Sequence, residues 1–154
     1  MANLDHLALL QEGAESWNRW RENERAMDHH WLPDWEIDLC EADLSGSVLS
    51  GADLRGAKLF RANLNSADLS STDLTDADLV GTSLLDANCN GARFVQASLE
   101  GACLRDADFG NANLGMAKLG GAQLIRTSVT GTKFTGSTIG HTIFANVDLR
   151  LLGI

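Results

Sequence analysis

The sequence has 154 residues, 44% of them hydrophobic, and a formal net charge of −9. This length fits one compact domain, and the acidic balance argues against direct binding to nucleic acid or to an anionic membrane surface. We find no apolar stretch long enough to cross a bilayer and no basic leader followed by an apolar run, so we expect neither a membrane span nor a secretory signal.

Residues 1–36 have a helical pattern. Apolar residues recur at helical spacing from Leu4 to Leu10, and Ala14–Met27 is rich in helix formers and contains no proline. This pattern predicts one helix with a break near Gly13, or two short helices, ending near residues 29–33. The residues expected on one side of the helix are Leu7, Leu10, Ala14, Trp17 and, loosely, Trp20.

A five-residue repeat replaces the helical pattern from residue 37 onward. Stepping by five from Leu39 to Leu149 gives 23 centre positions, of which 16 are Leu and four are Phe. Ala, Thr or Ser lies two residues before the centre in 21 of the 23 units. Neither a helix nor a flat strand places every fifth residue on one side. The chain must therefore turn once per unit, so that each centre residue points to a common axis.

Units such as Ala42–Gly46 and Ala52–Gly56 read AlaAspLeuxGly and resemble the pentapeptide-repeat family. The resemblance covers about residues 37–149 and implies an all-β solenoid, a right-handed quadrilateral β-helix. In that fold four pentapeptides make one coil, so the 23 units imply about six coils. The small residue and the centre residue of each unit then point inward. We divide the chain into an N-terminal helical cap, residues 1–36, and a repeat domain, residues 37–154.

The second position after each centre is the expected corner of the coil. Gly, Asn and Asp suit it because they tolerate positive φ or bond locally to the backbone. The corner residues predicted in this way are Gly46, Gly51, Gly56, Asp76, Gly81, Asp86, Gly91, Gly101, Asp106 and Asn111.

The leader has two interpretations. As a cap, it would use Trp31, Leu32 and Trp35 to cover the first coil, because open strand edges invite association. As a binding element, it would present Trp17 and Trp20 beside Arg19 and Arg21 to a partner. The stretch 9–23 is similar to a leader that precedes the repeats in bacterial, especially cyanobacterial, members of the family.

Patterns for catalysis and cofactors are weak, and we expect no enzyme activity, no metal and no cofactor. His29 and His30 lie near Asp28 and Asp34, but adjacent helical residues point about 100° apart. Paired acids elsewhere would lie on a convex tube without a cleft that could shift their pKa values. The three cysteines have no metal-binding spacing, and reduced thiols in a cytoplasmic protein are the simple interpretation.

An apolar group on the outer surface is a candidate for binding an unidentified protein partner. Residues twenty apart stack in columns, and apolar side chains gather on neighbouring sides at Phe60, Val80, Leu85 and Ile125. Exposed apolar clusters usually mark contacts; the alternative is that the N-terminal helix covers them. We favour a structural or protein-interaction module.

The alternative function is mimicry of DNA. The family resemblance implies that some members imitate B-form DNA and bind type II topoisomerases such as DNA gyrase, which requires columns of acids. One column is acidic at every second coil, at Asp68, Asp108 and Asp148, and contains no base. Another column runs Asp53, Asp73, Arg93, Asn113, Lys133 and changes sign.

Five residues follow the last centre position. Leu151, Leu152 and Ile154 are apolar and would cover part of the last coil, so we expect a weak homodimer that forms end to end through the C-terminal end.

Overall fold

The structure, a computed structural model, describes residues 2–26, 36–148 and 150. Two helices come first, α1 at Leu4–Gln11 and α2 at Ala14–Ala26. The side chain of Asn3 caps α1 by accepting from the backbone N–H groups of the first turn. Gly13 has φ +107° between the helices, a conformation that glycine adopts without steric cost. The two-helix alternative is therefore the one observed; the predicted end near residues 29–33 lies outside the described residues.

The repeat region winds into coils of twenty residues. Parallel bridges join each residue before a centre to the residue twenty positions later, from Asp38 with Lys58 to Lys118 with Thr138. Two short strands, β1 at Gln123–Ile125 and β2 at Ile143–Ala145, continue this parallel register. The five-residue register does not slip, and the predicted solenoid is confirmed. We number the four sides of the coil from the centres of its first turn, Leu39, Leu44, Leu49 and Leu54.

A backbone hydrogen-bond ladder joins the coils. The N–H of Leu39 donates to the carbonyl of Lys58 at 2.8 Å, and the N–H of Lys58 donates back to the carbonyl of Ile37 at 2.8 Å. A second type of bond closes each corner, as between the N–H of Ala42 and the carbonyl of Leu39 at 3.1 Å. Each five-residue unit therefore satisfies its own turn locally and its straight part through the neighbouring coil.

The corners adopt the predicted left-handed conformation. All ten predicted corner residues have positive φ, from +56° at Asn111 to +71° at Gly51. Less suitable residue types adopt it too, because the coil must turn at every unit; these are Glu41, Arg61, Gln96, Met116, Arg126 and His141. The tertiary structure thus overrides the local preference of those side chains.

The interior contains the centre residue and the small residue before it. Every centre residue from Leu39 to Phe134 is at most 3% exposed. The rings of Phe94 and Phe109, on adjacent sides, lie 5.2 Å apart. Cys89 is fully buried, and burial raises the pKa of its thiol, whereas Cys40 and Cys103 are partly exposed. Burial weakens at the last coil, where Ile139 and Phe144 are only partly buried.

Threonine in the small position adds a hydrogen bond inside the tube. Its hydroxyl donates to the carbonyl of the centre residue 23 positions earlier, at 2.6–3.0 Å. This satisfies a polar group that would otherwise be costly to bury. The residues involved are Thr72, Thr82, Thr127, Thr132 and Thr142.

Gly101→Ala should lower the free energy of unfolding by about 1 kcal/mol, because alanine is strained in the left-handed region. Gly101 has φ +67° and open space where a Cβ would lie, so the cost is one of backbone conformation alone. Gly140 is the matched control, since it has the same open space without a positive φ. Gly140→Ala should be neutral or stabilising by up to about 1 kcal/mol. Urea unfolding measures both; equal effects would contradict the assignment of the corner.

Candidate interaction surfaces

The Asp and Asn residues before the centres hold the turns. Their side-chain oxygens accept the backbone N–H two residues later, at 3.0 Å from Ser70 to Asp68 and 2.9 Å from Gly110 to Asp108. The same bond recurs at Asn63, Asn88 and Asn113, where no charge is involved. These are Asx turns, so the AspLeu and AsnLeu pairs of the repeat have a structural reason independent of any partner.

Asp68 and Asp108 of the acidic column lie on the third side, and Asp148 belongs to the same side by its position in the repeat. Bridges connect Asp68 to Asn88 and Asn88 to Asp108, and the amide of Asn88 donates to the carboxylate of Asp68 at 3.0 Å. Hydrogen bonds from Ser70 lower the pKa of Asp68, and those from Arg150 lower the pKa of Asp148. Arg150 also forms an ion pair with Asp148, with 2.7 Å between nitrogen and oxygen. The lowered pKa values keep Asp68 and Asp148 ionised at neutral pH, and the charge of Asp148 is balanced by Arg150.

The predicted apolar patch lies on two neighbouring sides. Phe60 and Val80 occupy successive coils of the first side, and Leu85 and Ile125 lie on the second side with Arg105 between them. All four patch residues are half-buried. The guanidinium of Arg61 lies 4.9 Å from the centre of the Phe60 ring, so part of this patch is covered by the solenoid's own arginine.

Side chains of α2 occupy the ladder edge of the first coil on the fourth side. The indole N–H of Trp17 donates to the carbonyl of Asp53 at 2.8 Å, where one coil later the carbonyl of Asp73 accepts a backbone N–H. The N–H of Asp53 donates to Asn18 Oδ1 at 2.8 Å. Arg21 donates to the carbonyl of Arg55 at 3.1 Å. These three side chains replace the backbone groups of a preceding coil.

The first side receives a similar contact from the start of the chain. The N–H of Asn3 donates to the carbonyl of Asp38 at 2.8 Å, in the place that the N–H of Leu39 takes on Lys58. The hydrogen bonds that the described helices make to the repeat region go to the first coil. The helices therefore lie at the N-terminal edge and not over the apolar patch.

An aromatic cluster joins the two helices. The rings of Trp17 and Trp20 are 4.9 Å apart, and His6 lies 5.0 Å from Trp20 and 6.0 Å from Trp17. Trp17 is 0% exposed and Arg21 is 6% exposed. Of the residues predicted to face a partner, these two instead face the first coil. Arg19 is exposed and pairs with Glu15 at 3.0 Å.

Three arginines surround Asp53. Its carboxylate binds Arg25 and Arg55, the latter at 2.8 Å. Burial opposes ionisation of Asp53, but the hydrogen bonds from Arg55 and Arg25 outweigh it and hold its pKa well below the usual range. The pKa of Arg21 is lowered by burial first and then by the positive charge of Arg25. Sequence reasoning missed this cluster because its members are distant in the chain.

A cavity of 370 Å³ lies between the junction of the helices and the first coil. Leu10, Gly13 and Ala14 line one side, and Leu44 and Val48 are on the other. None of its lining residues carries an acid or a base. The cavity thus has no group for general acid–base chemistry.

Within residues 2–26, 36–148 and 150, no group of His, Cys, Asp and Glu is arranged to hold a metal ion. Neither described helix has the length and apolar character of a membrane span. Some predictions lie outside the described residues: the candidate metal residues His29 and His30 with Asp28 and Asp34, the capping residues Trp31, Leu32 and Trp35, and the tail residues Leu151, Leu152 and Ile154.

Comparison with known families finds the pentapeptide repeats, in eight copies, over residues 37–76, 62–101, 72–111 and 102–140. The chain belongs to the pentapeptide-repeat family. Pentapeptide-repeat proteins fold as right-handed quadrilateral β-helices, and the solenoid of this chain agrees with that fold in its twenty-residue register. A comparison with curated protein sequences found no match.

Solved structures of other pentapeptide-repeat proteins are similar. Rfr23 from the cyanobacterium Cyanothece 51142 is 38% identical, with 60% of this chain covered, 64% of that one and a TM-score of 0.59. This chain thus spans less than two thirds of Rfr23. A protein from the thylakoid lumen of Arabidopsis thaliana is 35% identical, with 69% and 70% covered and a TM-score of 0.52.

The fluoroquinolone resistance protein QnrB1 is a more distant match. A trypsin-treated form is 26% identical to this pentapeptide-repeat protein, with 73% of this chain and 63% of that chain covered. The TM-score is 0.40.

Trp17→Phe should lower the free energy of unfolding by about 1 kcal/mol more than Trp20→Phe, because it leaves the carbonyl of Asp53 without its donor. Trp20 is the matched control: it loses the same ring volume, is partly buried in the same cluster and has no indole hydrogen bond among the described residues. Urea unfolding followed by circular dichroism measures the difference. Equal losses would show that Trp17 contributes by packing alone.

Proposed function

We propose that this pentapeptide-repeat protein is a non-catalytic protein-interaction module. The observation that carries the proposal is the apolar patch of Phe60, Val80, Leu85 and Ile125 on the outside of a solenoid whose interior is already filled. Apolar side chains at these outward positions contribute nothing to the core. Apolar side chains gathered on an outer surface are typical of contact sites.

The repeat geometry supports the availability of the patch. Ser70 and Thr75 occupy the same position after the centre as Val80, and all three are half-buried. The partial burial of the patch thus comes from neighbouring coils. The described helices make their hydrogen bonds to the first coil, whereas the patch lies on the second and later coils.

We also propose that the helices are an N-terminal cap on a solenoid of just under six coils, with residues 1–36 as the cap and 37–154 as the repeat domain. Support comes from Trp17, Asn18, Arg21 and Asn3, which bond to ladder groups of the first coil. Unpaired edges template association, and side-chain donors at that edge oppose it.

The absence of catalysis is part of the same proposal. The cavity beside the first coil has no acid or base in its lining, and the pKa shifts of the surface acids have ordinary causes in Asx turns and ion pairs. For location we propose the reducing cytoplasm, since Cys40, Cys89 and Cys103 are all free thiols.

DNA mimicry is the alternative function, directed at a topoisomerase such as gyrase. The third side offers Asp68 and Asp108, but Asx turns explain these acids without a partner, and the fourth side is basic at Arg93 and Lys133. A gyrase supercoiling assay distinguishes the two functions, because a mimic would inhibit the reaction and an interaction module for another protein would leave it unchanged.

Val80→Asp should abolish capture of a partner that wild-type protein retains, because a charge in the patch must be desolvated on binding. Crosslinking in extracts of the native host, followed by mass spectrometry, identifies the retained proteins. Thr130→Asp is the control, with the same charge at the same repeat position on the third side. Retention of every captured protein by Val80→Asp would place the contact elsewhere.

We further propose weak self-association through the C-terminal end, where Ile143 is 50% exposed and Phe144 and Val147 are only partly buried. Leu152→Asp should abolish a concentration-dependent dimer in analytical ultracentrifugation, because it places a charge in an apolar contact smaller than about 1,600 Å². Val48→Asp is the control, because Val48 is an exposed residue of the first coil, at the other end of the solenoid. A strict monomer, or a dimer indifferent to Leu152→Asp, would contradict this proposal.

A further inference from the structure

The fourth side of the solenoid carries a line of cations, in contrast to the acidic character of the whole chain. Arg55, Arg93 and Lys133 project from the repeats, and Arg25 joins them from α2; all four are exposed. We call these four residues the basic strip. The chain has a net charge of −9, so a basic surface requires a local excess of cations over acids.

Ion pairs along the strip leave such an excess. Asp53 lies between Arg25 and Arg55, and Asp73 lies 3.8 Å from Arg55 and 3.5 Å from Arg93. Two carboxylates therefore alternate with three arginines in one chain of contacts. The next acid of this side is Asp76, at the corner of the coil.

Buried Arg21 adds a further positive charge beneath one end of the strip. It is 6% exposed and donates to the carbonyl of Arg55, not to a carboxylate. The charge of Arg25 acts on Arg21 more strongly than the opposing charge of Asp53. Three cations, Arg21, Arg25 and Arg55, thus lie around Asp53 at this end of the strip.

The accessible part of the strip is the pair Arg93 and Lys133. The side chain of Arg93 is 58% exposed, and Lys133 has no ion pair within the described part of the chain. Asn113 lies between them in the register, so they are two coils, or about 10 Å, apart along the axis. Met116, 64% exposed, adds an apolar contact beside Asn113.

We infer that the basic strip binds an acidic segment of a partner protein, laid along the axis of the solenoid. A polyproline II segment has three residues per turn and rises about 3.1 Å per residue, so acidic side chains three residues apart lie on one face and match the spacing of Arg93 and Lys133. A second copy of this chain is a poor occupant, because each copy carries −9. The site is separate from the apolar patch on the first and second sides and does not depend on it.

A fluorescein-labelled decaglutamate peptide is the probe, and fluorescence anisotropy with the full-length protein is the measurement. Arg93→Glu/Lys133→Glu should weaken binding by at least about tenfold, since two attractive contacts become repulsive. Raising the salt from about 50 to about 300 mM should also weaken it, because exposed charges are screened. The milder Arg93→Gln/Lys133→Gln variant should give an intermediate loss.

The matched control is Arg105→Glu/Lys118→Glu. Arg105 and Lys118 are exposed residues of the second and first sides, so this variant has the same net charge as the reversed strip. It should bind the peptide no more than about twofold more weakly than the wild type, because only long-range repulsion has changed. A decaglutamine peptide should not bind.

Any of the following outcomes would overturn the inference: no binding of decaglutamate at low salt, equal losses in the two charge-reversed proteins, or tighter binding of a ten-nucleotide single-stranded DNA than of decaglutamate. The last would assign the strip to nucleic acid. Self-association in sedimentation at low salt that disappears in Arg93→Glu/Lys133→Glu would also overturn it, by making a second copy the occupant.

Discussion

The hydrogen-bond ladder between coils is the constraint on which the rest of the structure depends. Each side contributes only a short straight part, bonded to the side twenty residues later. A ladder with so short a repeat leaves a narrow interior, which admits one large and one small residue per side. That explains the burial of every centre from Leu39 to Phe134, and it explains why Thr enters the small position only with its hydroxyl bonded to a carbonyl.

A ladder of this kind ends in unpaired backbone groups, and side chains of the N-terminal helices form hydrogen bonds with several of them. The Trp17 indole, the Asn18 amide and the Arg21 guanidinium bond to groups that backbone partners satisfy one coil later. The indole and the guanidinium can only donate hydrogen bonds, but the edge also contains N–H groups that need an acceptor. The side-chain amide oxygen of Asn18 supplies that acceptor. Packing of His6, Trp17 and Trp20 orients these groups. The proposed cap is therefore specific in its chemistry and does more than cover apolar surface.

The same ladder gives the outer surface its order, because residues at equal positions stack in columns. Acids before a centre serve their own turns, as Asp68 and Asp108 do, and their charge is a by-product of that role. Cations have no such role in the turn. The positions of Arg93 and Lys133 are therefore more informative about function than the positions of the acids. The same holds for Val80 and Leu85, which lie beside Phe60.

The sequence alone determined the solenoid, its register, its inward residues and its corners. These features depend on contacts within a unit and on a five-residue period that is visible in the sequence. It also located the helix break at Gly13. Only the tertiary structure showed that Arg21 and His6 are buried, that α2 bonds to the first coil at Asp53, and that Arg25, Arg55 and Arg93 form one line of ion pairs. The hydrogen bonds and ion pairs among them join residues 18 to 36 positions apart. Their energy depends on three-dimensional proximity, which no local pattern in the sequence encodes.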